Sequence, residues 1–293
     1  MALKADVETV ILGCRNREKA EAAKASLEEA TGRKSCFEVL LIDISNLDSI
    51  KKAVEEDLEG AIDCLILNAG GLGGKQPLKL TNHGTMSVFD LNVLGSVHLT
   101  DLLIENEKLI SGHVLYVSSE TARGIRTLVK HHKFTNDGTV EEFKSMCNGS
   151  CFKRKPASMA AYGHAKLVGT YWAGSMARKH PNIRFIAVSP GNTAGTNVVE
   201  GSDYPTIIRV VGNKIVIPFM VLVGRFHPLH VGAKRYLDVL YDEETFETGH
   251  FYASKSSWPT GRMVDQKKHL DCVYNRNYQD NANAAIHSYI KKY

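Results

Sequence analysis

The sequence has no long uncharged hydrophobic run and no marked excess of charge of either sign. Its longest apolar stretch, residues 215–224, is far shorter than the roughly 20 residues that a membrane-spanning helix needs. Lys and Arg number 36 against 32 for Asp and Glu, a formal net charge of +4 spread along the chain. Because nucleic-acid-binding proteins usually show a basic stripe, a nucleic-acid partner is not expected. A signal peptide is not expected either, because no basic segment followed by an apolar one begins the chain.

Cysteine is scarce, and the six cysteines follow no regular spacing. In a chain of this size they indicate reduced thiols of an intracellular protein, cytoplasmic by default, and not a secreted disulfide framework. Cys147 and Cys151, with His131 and His132 upstream, match no usual zinc-ligand spacing. We therefore predict no metal site.

The composition is that of a globular protein. Hydrophobic residues make up 43% of the chain and charged residues 23%, which excludes a disordered or collagen-like protein. A chain of 293 residues can bury about three quarters of its unfolded surface without a disulfide or a metal. Since no repeat or proline-rich linker divides the sequence, we predict one domain over residues 1–293.

Short apolar runs alternate with helical patterns, which predicts an α/β fold with a parallel sheet and crossover helices. Predicted strands cover residues 9–14, 37–42, 64–67, 113–117, 184–188 and 250–252. Predicted helices cover residues 17–30, 47–58, 85–107, 162–178, most of 204–241 and 282–290. Residues 123–159 are irregular, basic and glycine-containing, which predicts a surface insertion, and residues 253–293 form a C-terminal extension.

Each predicted strand ends in a loop with polar residues or glycine. These strand ends include Arg15, Asp43, Asn68, the pair Ser118 and Ser119, and Pro190. In an open parallel sheet, ligands bind outside the carboxyl ends of the strands, so the clustering predicts a nucleotide site. For any single residue of this kind, simply ending a strand is an equal alternative.

Tyr162 and Lys166 lie four residues apart at the start of a predicted helix and therefore project from one face. An ammonium group near a phenol favours the phenolate and lowers its pKa from about 10 toward neutral pH. The phenol can then exchange a proton with a substrate oxygen that a hydroxyl of Ser118 or Ser119 would hold. Such a pair alone usually marks a solvated helix face, but its place between a Ser-Ser strand end and a Pro-Gly strand end favours catalysis.

With these motifs the chain resembles the short-chain dehydrogenase/reductase family. The matching motifs, in order, are Asp43-Ile44, Asn68-Ala69-Gly70, Asn92, Ser118-Ser119, Tyr162-Gly163-His164-Ala165-Lys166 and Pro190-Gly191. The resemblance covers residues from about Val7 to Tyr252, roughly five sixths of the chain. Within the family, Cys14-Arg15-Asn16 and the insertion before Tyr162 are most similar to the retinol dehydrogenase and protochlorophyllide reductase-like branch. The resemblance implies a Rossmann-like, doubly wound parallel sheet with helices on both faces.

The resemblance also implies catalytic roles for four residues. Tyr162 would be the general acid/base, and Lys166 would lower its pKa and hold the nicotinamide ribose. Ser119 would orient the substrate oxygen, and Asn92 would support a water in the proton relay.

The cofactor residues follow from the same resemblance. The adenosine side would lie against Asp43, Asn68, Ala69 and Gly70, and the nicotinamide side against Pro190, Gly191 and Thr193. Arg15 suits a ribose 2′-phosphate, which favours NADP(H), although a solvated loop charge is the alternative.

One part of the family pattern is not found in this sequence. The family's first strand and its Thr-Gly-x-x-x-Gly-x-Gly turn should precede residues 9–14, but no glycine occurs before Gly13. Without that turn the main pyrophosphate cradle is lost. The strands ending at Cys14 and Asn68 would also have unpaired edges, at a cost of about 1–3 kcal/mol for each buried backbone group.

The function predicted is an NADP(H)-dependent oxidoreductase that interconverts a carbonyl and an alcohol, or reduces an activated double bond, on a hydrophobic substrate. The alternative is a catalytically inactive scaffold or assembly subunit that has lost cofactor binding. Retention of the complete proton-relay set favours a shortened form of an active enzyme over that scaffold.

The apolar segment 204–226 would flank the mouth of the site. Three roles are open for it, namely a substrate lid, a core or dimer-interface helix, and shallow membrane contact near Arg209, Lys214 and Arg225.

Overall fold

The computed structural model of the chain describes residues 7–125, 129–154, 156–194, 217–255 and 260–290, with the backbone alone for 217–219. These residues form two compact units. The first contains the described part of residues 1–61 together with 95–109, and the second contains the described part of 62–94 and 110–293. One domain for the whole chain stays a prediction.

The first unit has a two-stranded parallel sheet and three helices. Its strands are β1 (Val10–Cys14) and β2 (Phe37–Leu41), which pair with each other. Its helices are α1 (Arg17–Thr31), α2 (Leu47–Lys52), which continues into the π-helical turn Ala53–Asp57, and α3 (Gly95–Glu105). The Asn16 side chain caps the start of α1, and Gly32 ends it in the left-handed conformation.

The second unit has a five-stranded sheet in the order β3-β4-β5-β6-β7. The strands are β3 (Cys64–Leu67), β4 (Gly112–Val117), β5 (Ile183–Val188), β6 (Phe251–Ser254) and β7 (Met263–Asp265). Strands β3 to β6 pair in parallel, and β7 is antiparallel to β6.

Among the described residues, the second unit also contains five α-helices of six or more residues. They are α4 (Val140–Asn148), α5 (Ser158–Lys179), α6 (Ile217–Leu222), α7 (Leu229–Tyr241) and α8 (Arg276–Ile290). Short helical turns lie at Ser87–Phe89, Asp90–Leu94 (a π turn), Glu120–Arg123, Gln266–Lys268 and Asp271–Tyr274.

Helix α5 is the centre of the second unit, because small and apolar residues cover most of its circumference. It packs on β5, β4, α4 and α8. Trp172 of α5 is fully buried and lies edge-on against Tyr116 and Phe185, with ring centroids 5.9 and 6.0 Å apart. Aromatic contacts of this kind add to the stability that burial provides.

The predicted α/β class with a parallel sheet is confirmed, as are a helix from Arg17 that ends near Gly32 and strands near 64–67 and 113–117. Among the described residues, β1 pairs with β2 alone and β3 with β4 alone. β1 and β3 therefore each have one edge without a described partner strand. Predicted site residues follow the carboxyl end of each of these two strands.

The expectation of an irregular stretch over 123–159 was wrong for Val140–Asn148, which forms α4. Its signals are present, because Thr139 caps the start and Gly149 ends the helix. Phe143 and Met146 are fully buried on one face, so this part of the insertion belongs to the core. The helical pattern is short, and the basic, glycine-containing residues around it indicated an irregular segment.

The C-terminal extension is also more structured than the pattern predicted. Helix α8 begins at Arg276 instead of Ala282, and it packs on α5 and α4. Ile286 and Tyr289 are buried there. Strand β7 was not predicted, because three residues are too few to show an alternating pattern.

Gly169 allows α5 to approach β4 closely. A Cβ at this position would lie 2.1 Å from the hydroxyl oxygen of Tyr116, which is buried and donates a hydrogen bond to the main-chain oxygen of Asn92. We expect Gly169→Ala to lower the free energy of unfolding in urea by roughly 1–3 kcal/mol, because the core is overpacked. Helix propensity alone predicts the opposite sign, a gain of about 1 kcal/mol, so an increase would contradict this close approach.

Candidate active site

Lys166 lies at the centre of a buried group of polar side chains at the carboxyl end of β4. Only 2% of this lysine is exposed, and its Nζ donates a hydrogen bond to the main-chain oxygen of Val117 at 2.8 Å. The same Nζ lies 5.6 Å from the ring centre of Tyr162 and 5.3 Å from that of Tyr116. The spacing of Tyr162 and Lys166 thus places both at one strand end.

Asn92 lies in the π turn Asp90–Leu94 and is fully buried. Its Nδ2 donates to the main-chain oxygens of Gly71 and Val88, both at 2.7 Å, and its Oδ1 accepts from the Gly71 amide at 3.1 Å. Asn92 therefore fixes the loop that follows β3. Support of a water by Asn92 stays a prediction.

Gly70 brings this loop against the same group. A Cβ at Gly70 would lie 2.6 Å from Asn92 Oδ1 and 3.1 Å from Lys166 Nζ, so the position has no room for a side chain. The loop, Asn92 and Lys166 are consequently in close contact, and the structure brings together three of the predicted site residues.

The two serines that follow β4 have different environments. Ser118 is buried, and its Oγ lies 2.7 Å from the hydroxyl of Thr170 inside the unit. Ser119 is half-buried, accepts from the Thr121 amide at 3.2 Å, and shares a hydrogen bond with Tyr162. Of the two serines, Ser119 is therefore the one beside the phenol.

The protonation of the central pair differs from the expectation. Burial raises the pKa of Tyr162 to about 12; the Ser119 hydrogen bond opposes this rise, and the charge of Glu120 adds to it. Burial lowers the pKa of Lys166 to about 7. The expected lowering of the Tyr162 pKa was thus wrong for this structure, because burial disfavours the charged form of both groups. The phenol keeps its proton at neutral pH.

The turn after β5 is held by its own polar groups. Gly191 has a φ of +76° and its amide donates to Ser189 Oγ at 3.2 Å. The Thr193 hydroxyl donates to the main-chain oxygen of Pro190 at 3.2 Å and lies 3.4 Å from His227 Nε2. Pro190, Gly191 and Thr193 thus form one ordered turn at the carboxyl end of the sheet.

The loop after β3 leaves Asn68, Ala69 and Gly70 exposed. Asn68 Oδ1 accepts a hydrogen bond from the hydroxyl of Tyr236 on α7 at 3.2 Å. Sequence reasoning missed Tyr236, because a tyrosine on an amphipathic helix gives no motif signal.

Arg15 and Asp43 belong to the first unit. Arg15 is exposed directly after β1. Asp43 follows β2, and its Oδ1 accepts from the amide and the hydroxyl of Ser45 at 3.0 and 2.7 Å. Both predicted cofactor residues therefore lie at the carboxyl ends of their strands.

Two further sequence interpretations concern residues outside this group. Of the segment 204–226, only 217–226 lie among the described residues; Arg209 and Lys214 fall outside them. Leu222 at the end of α6 is 84% exposed. The three roles considered for this segment stay predictions.

Cys151 Sγ lies 3.7 Å from His164 Nδ1, and the rings of His164 and His132 are 4.8 Å apart. Within the described ranges, no three His, Cys, Asp or Glu side chains converge as metal ligands.

A family comparison matches the first part of the chain. The family model described as short chain dehydrogenase matches residues 1–129. Over these residues the chain matches the short-chain dehydrogenase/reductase family. The WW domain-containing oxidoreductase of Drosophila melanogaster is 30% identical over 195 residues, which cover 64% of this chain and 44% of that protein. Dehydrogenase/reductase SDR family member 12 of Bos taurus is 31% identical over 185 residues, 62% of this chain and 52% of that protein.

The chain spans about half the length of these two curated relatives. Among solved structures, L-sorbose reductase from Gluconobacter frateurii, complexed with NADPH and L-sorbose, matches with a TM-score of 0.58 at 15% identity and covers 85% of this chain and 86% of that one. Salutaridine reductase from Papaver somniferum gives 0.57 at 17% identity, with 83% and 90% covered. At these identities the shared property is the fold. Membership of the retinol dehydrogenase-like branch stays a prediction.

Proposed function

We propose that the chain is an NADP(H)-dependent oxidoreductase acting on a hydrophobic substrate, in which a carbonyl and an alcohol are interconverted or an activated double bond is reduced. The supporting observation is the group formed by Tyr162, Ser119, Lys166 and Asn92 in the second unit. Buried titratable groups with shifted pKa values at strand ends are typical of active sites.

The residues of the second unit fit the nicotinamide half of such a cofactor. A Lys ammonium has three donors, so Lys166 can bind ribose hydroxyls in addition to Val117. The ordered turn at Gly191 offers backbone groups to this half, and the exposed loop at Asn68 offers its own to the adenosine side. When bound, the nicotinamide supplies or accepts the hydride.

The first unit supports the choice of NADP(H). Arg15 is exposed at the end of β1, where its planar guanidinium can bind a ribose 2′-phosphate bidentately. An Asp or Glu there would instead accept from the 2′-hydroxyl of NAD.

The chain's own groups manage the proton. In a carbonyl reduction, the substrate oxygen gains a proton as the hydride reaches the adjacent carbon. Tyr162 holds a proton at neutral pH, so its O–H bond breaks as the new O–H bond forms on the substrate. Ser119 accepts from the Thr121 amide and shares a hydrogen bond with Tyr162, and its hydroxyl can donate to the substrate oxygen once the substrate lies beside the phenol. The Lys166 ammonium stabilises the phenolate that remains.

Exposed apolar side chains support a hydrophobic substrate. Leu222 is 84% exposed and Leu229 is 57% exposed, at the end of α6 and the start of α7. Apolar surface of this kind would equally serve a second copy of the chain or a membrane surface, which we propose as further partners.

A second candidate function is an inactive scaffold with this fold.

Calorimetric titration with NADPH tests the two functions against each other. For the enzyme we expect a Kd in the roughly micromolar range and weaker binding of NADH. In the variant Arg15→Ala, we expect NADPH affinity to fall toward that of NADH, because the 2′-phosphate loses its partner. No heat of binding with millimolar NADPH would exclude the cofactor-dependent function and leave the scaffold.

A further inference from the structure

Glu120 is a buried charge beside the site that the proposed reaction does not use. It is 4% exposed and directly follows Ser119 at the start of the turn Glu120–Arg123. A buried carboxylate is costly unless it is paired and hydrogen-bonded. Its partners therefore indicate what it holds in place.

Those partners come from three separate elements. Glu120 Oε2 accepts from the hydroxyl of Ser189 after β5 at 2.5 Å, and Oε1 accepts from the amide of Ser254 on β6 at 3.2 Å. The guanidinium of Arg235 on α7 lies 3.9 Å from Oε1. One carboxylate thus joins the ends of β4, β5 and β6 with α7.

Arg235 completes this buried network. It is 6% exposed and donates to Ser189 O at 3.3 Å, Ser254 Oγ at 2.9 Å and Gly261 O at 2.7 Å. Its charge compensates that of Glu120, while its hydrogen bonds reach the same two serines. Glu120, Arg235, Ser189 and Ser254 therefore form one connected hydrogen-bond network.

Ser189 extends the network to the turn after β5. While its hydroxyl donates to Glu120, the same oxygen accepts from the Gly191 amide at 3.2 Å. Glu120 is consequently two hydrogen bonds from the 190–193 turn and one peptide bond from Ser119.

We propose that Glu120 is a positioning residue, whose carboxylate ties the turn that carries Ser119 to the turn at residues 190–193. This role rests on the proposed function, in which Ser119 orients the substrate oxygen and the second turn lies beside the nicotinamide. A fixed distance between the two turns would hold the substrate oxygen, and with it the carbonyl carbon, at a set distance from the nicotinamide.

The charge of Glu120 has a second effect on the same site, because it raises the pKa of the Tyr162 phenol. Within the described part of the chain, the charged and titratable groups that face Tyr162 or Glu120 are Lys166 on α5, Tyr116 on β4, Arg123 in the turn, His227 before α7, and Arg235 and Tyr236 on α7. Removal of the carboxylate charge leaves the cations of this set uncompensated and lowers the phenol pKa.

Two variants separate these effects. Glu120→Gln keeps the shape and removes the charge, so we expect kcat to fall about 10- to 100-fold and the alkaline limb of the kcat–pH profile to move to lower pH by about 1 unit. Ser189→Ala cuts the link to Gly191 and leaves the charge, so we expect a higher KM for NADPH with no shift of the pH profile. The control Glu141→Gln changes a glutamate that is 78% exposed on α4 and is expected to alter neither.

Hydrogen–deuterium exchange of the ligand-free chain tests whether Glu120 links the two turns, and it does not depend on enzyme activity. We expect about tenfold faster exchange in the peptide containing Gly191 for Glu120→Gln and Ser189→Ala, and no change for Glu141→Gln. The role of Glu120 would be overturned if exchange were unchanged in both variants. It would also be overturned if the wild-type chain were active and Glu120→Gln did not shift its pH profile. If the wild-type chain binds no NADPH, the proposed function is refuted. The exchange rates still test whether Glu120 links the two turns.

Discussion

Turnover is expected to fall by at least about 10³-fold when Tyr162 is replaced by Phe, with little change in NADPH affinity. The substitution removes the hydroxyl that gives the substrate its proton. It keeps the ring, which is 9% exposed and lies 5.6 Å from Lys166 Nζ. The measurement is the steady-state rate of NADPH consumption with a carbonyl substrate, together with calorimetric NADPH binding, in a chain that binds the cofactor.

Tyr171→Phe is the matched control for this loss. Tyr171 is a buried tyrosine on the same helix, and its hydroxyl donates to Cys272 Sγ at 3.2 Å, away from the site. Its variant should keep wild-type turnover. Equal rates for wild-type and Tyr162→Phe chains would remove Tyr162 from the reaction.

Lys166→Met is expected to have opposite effects on activity and on stability. Loss of the ammonium removes the ribose contact and the stabilisation of the phenolate, so turnover and NADPH affinity should both fall by about 10²-fold or more. Stability should rise at low pH, because the wild-type chain buries a lysine whose pKa is lowered to about 7 from 10.5.

The pH range follows from these two pKa values. Between pH 7 and 10.5 the unfolded chain holds a proton on Lys166 that the folded chain has lost, so wild-type stability increases with pH across this range. Below pH 7 both states are protonated, and the full cost of burying the charge remains. Methionine has no such cost, although Val117 O loses its donor.

Urea denaturation at about pH 6 and about pH 10 measures this difference. We expect Lys166→Met to be more stable than wild type by about 2–4 kcal/mol at the lower pH, with the gain much reduced at the higher pH. Lys179→Met removes a charge from the exposed end of the same helix and should show no such pH dependence. A gain of the same size at both pH values would mean that the ammonium of Lys166 is not desolvated.

The sequence predicts the site better where spacing determines geometry than where burial determines charge. Tyr162 and Lys166 were found because four residues on a helix bring two side chains to one face. The pKa values of Tyr162 and Lys166 cannot be predicted in this way, because desolvation depends on how completely β4 and the loops cover the pair. The residues alone leave both Ser118 and Ser119 open, the family resemblance implies Ser119, and the structure pairs Ser118 with Thr170.

Glu120 shows a second limit of sequence reasoning. In the sequence it is one charged residue after a strand, which usually means a solvated turn. Its partners Ser189, Arg235 and Ser254 lie more than 60 residues away along the chain and meet it only in the folded sheet. By contrast, the signals for α4 were local and complete, with a capping Thr139 and a terminal Gly149, and a finer reading of 140–148 would have found it.

The π turn at Asp90–Leu94 makes the site depend on residue count as well as residue identity. A π turn holds one more residue per turn than an α-helix, and here that turn presents Asn92 to the loop at Gly71. If a relative lacked one residue in this stretch, the turn would relax to an α-helix and rotate Asn92 by about 100°. Such a relative could retain every motif residue in order and yet lack the hydrogen bonds between Asn92 and Gly71. An alignment that tolerates gaps here would therefore overestimate how many homologues share this site.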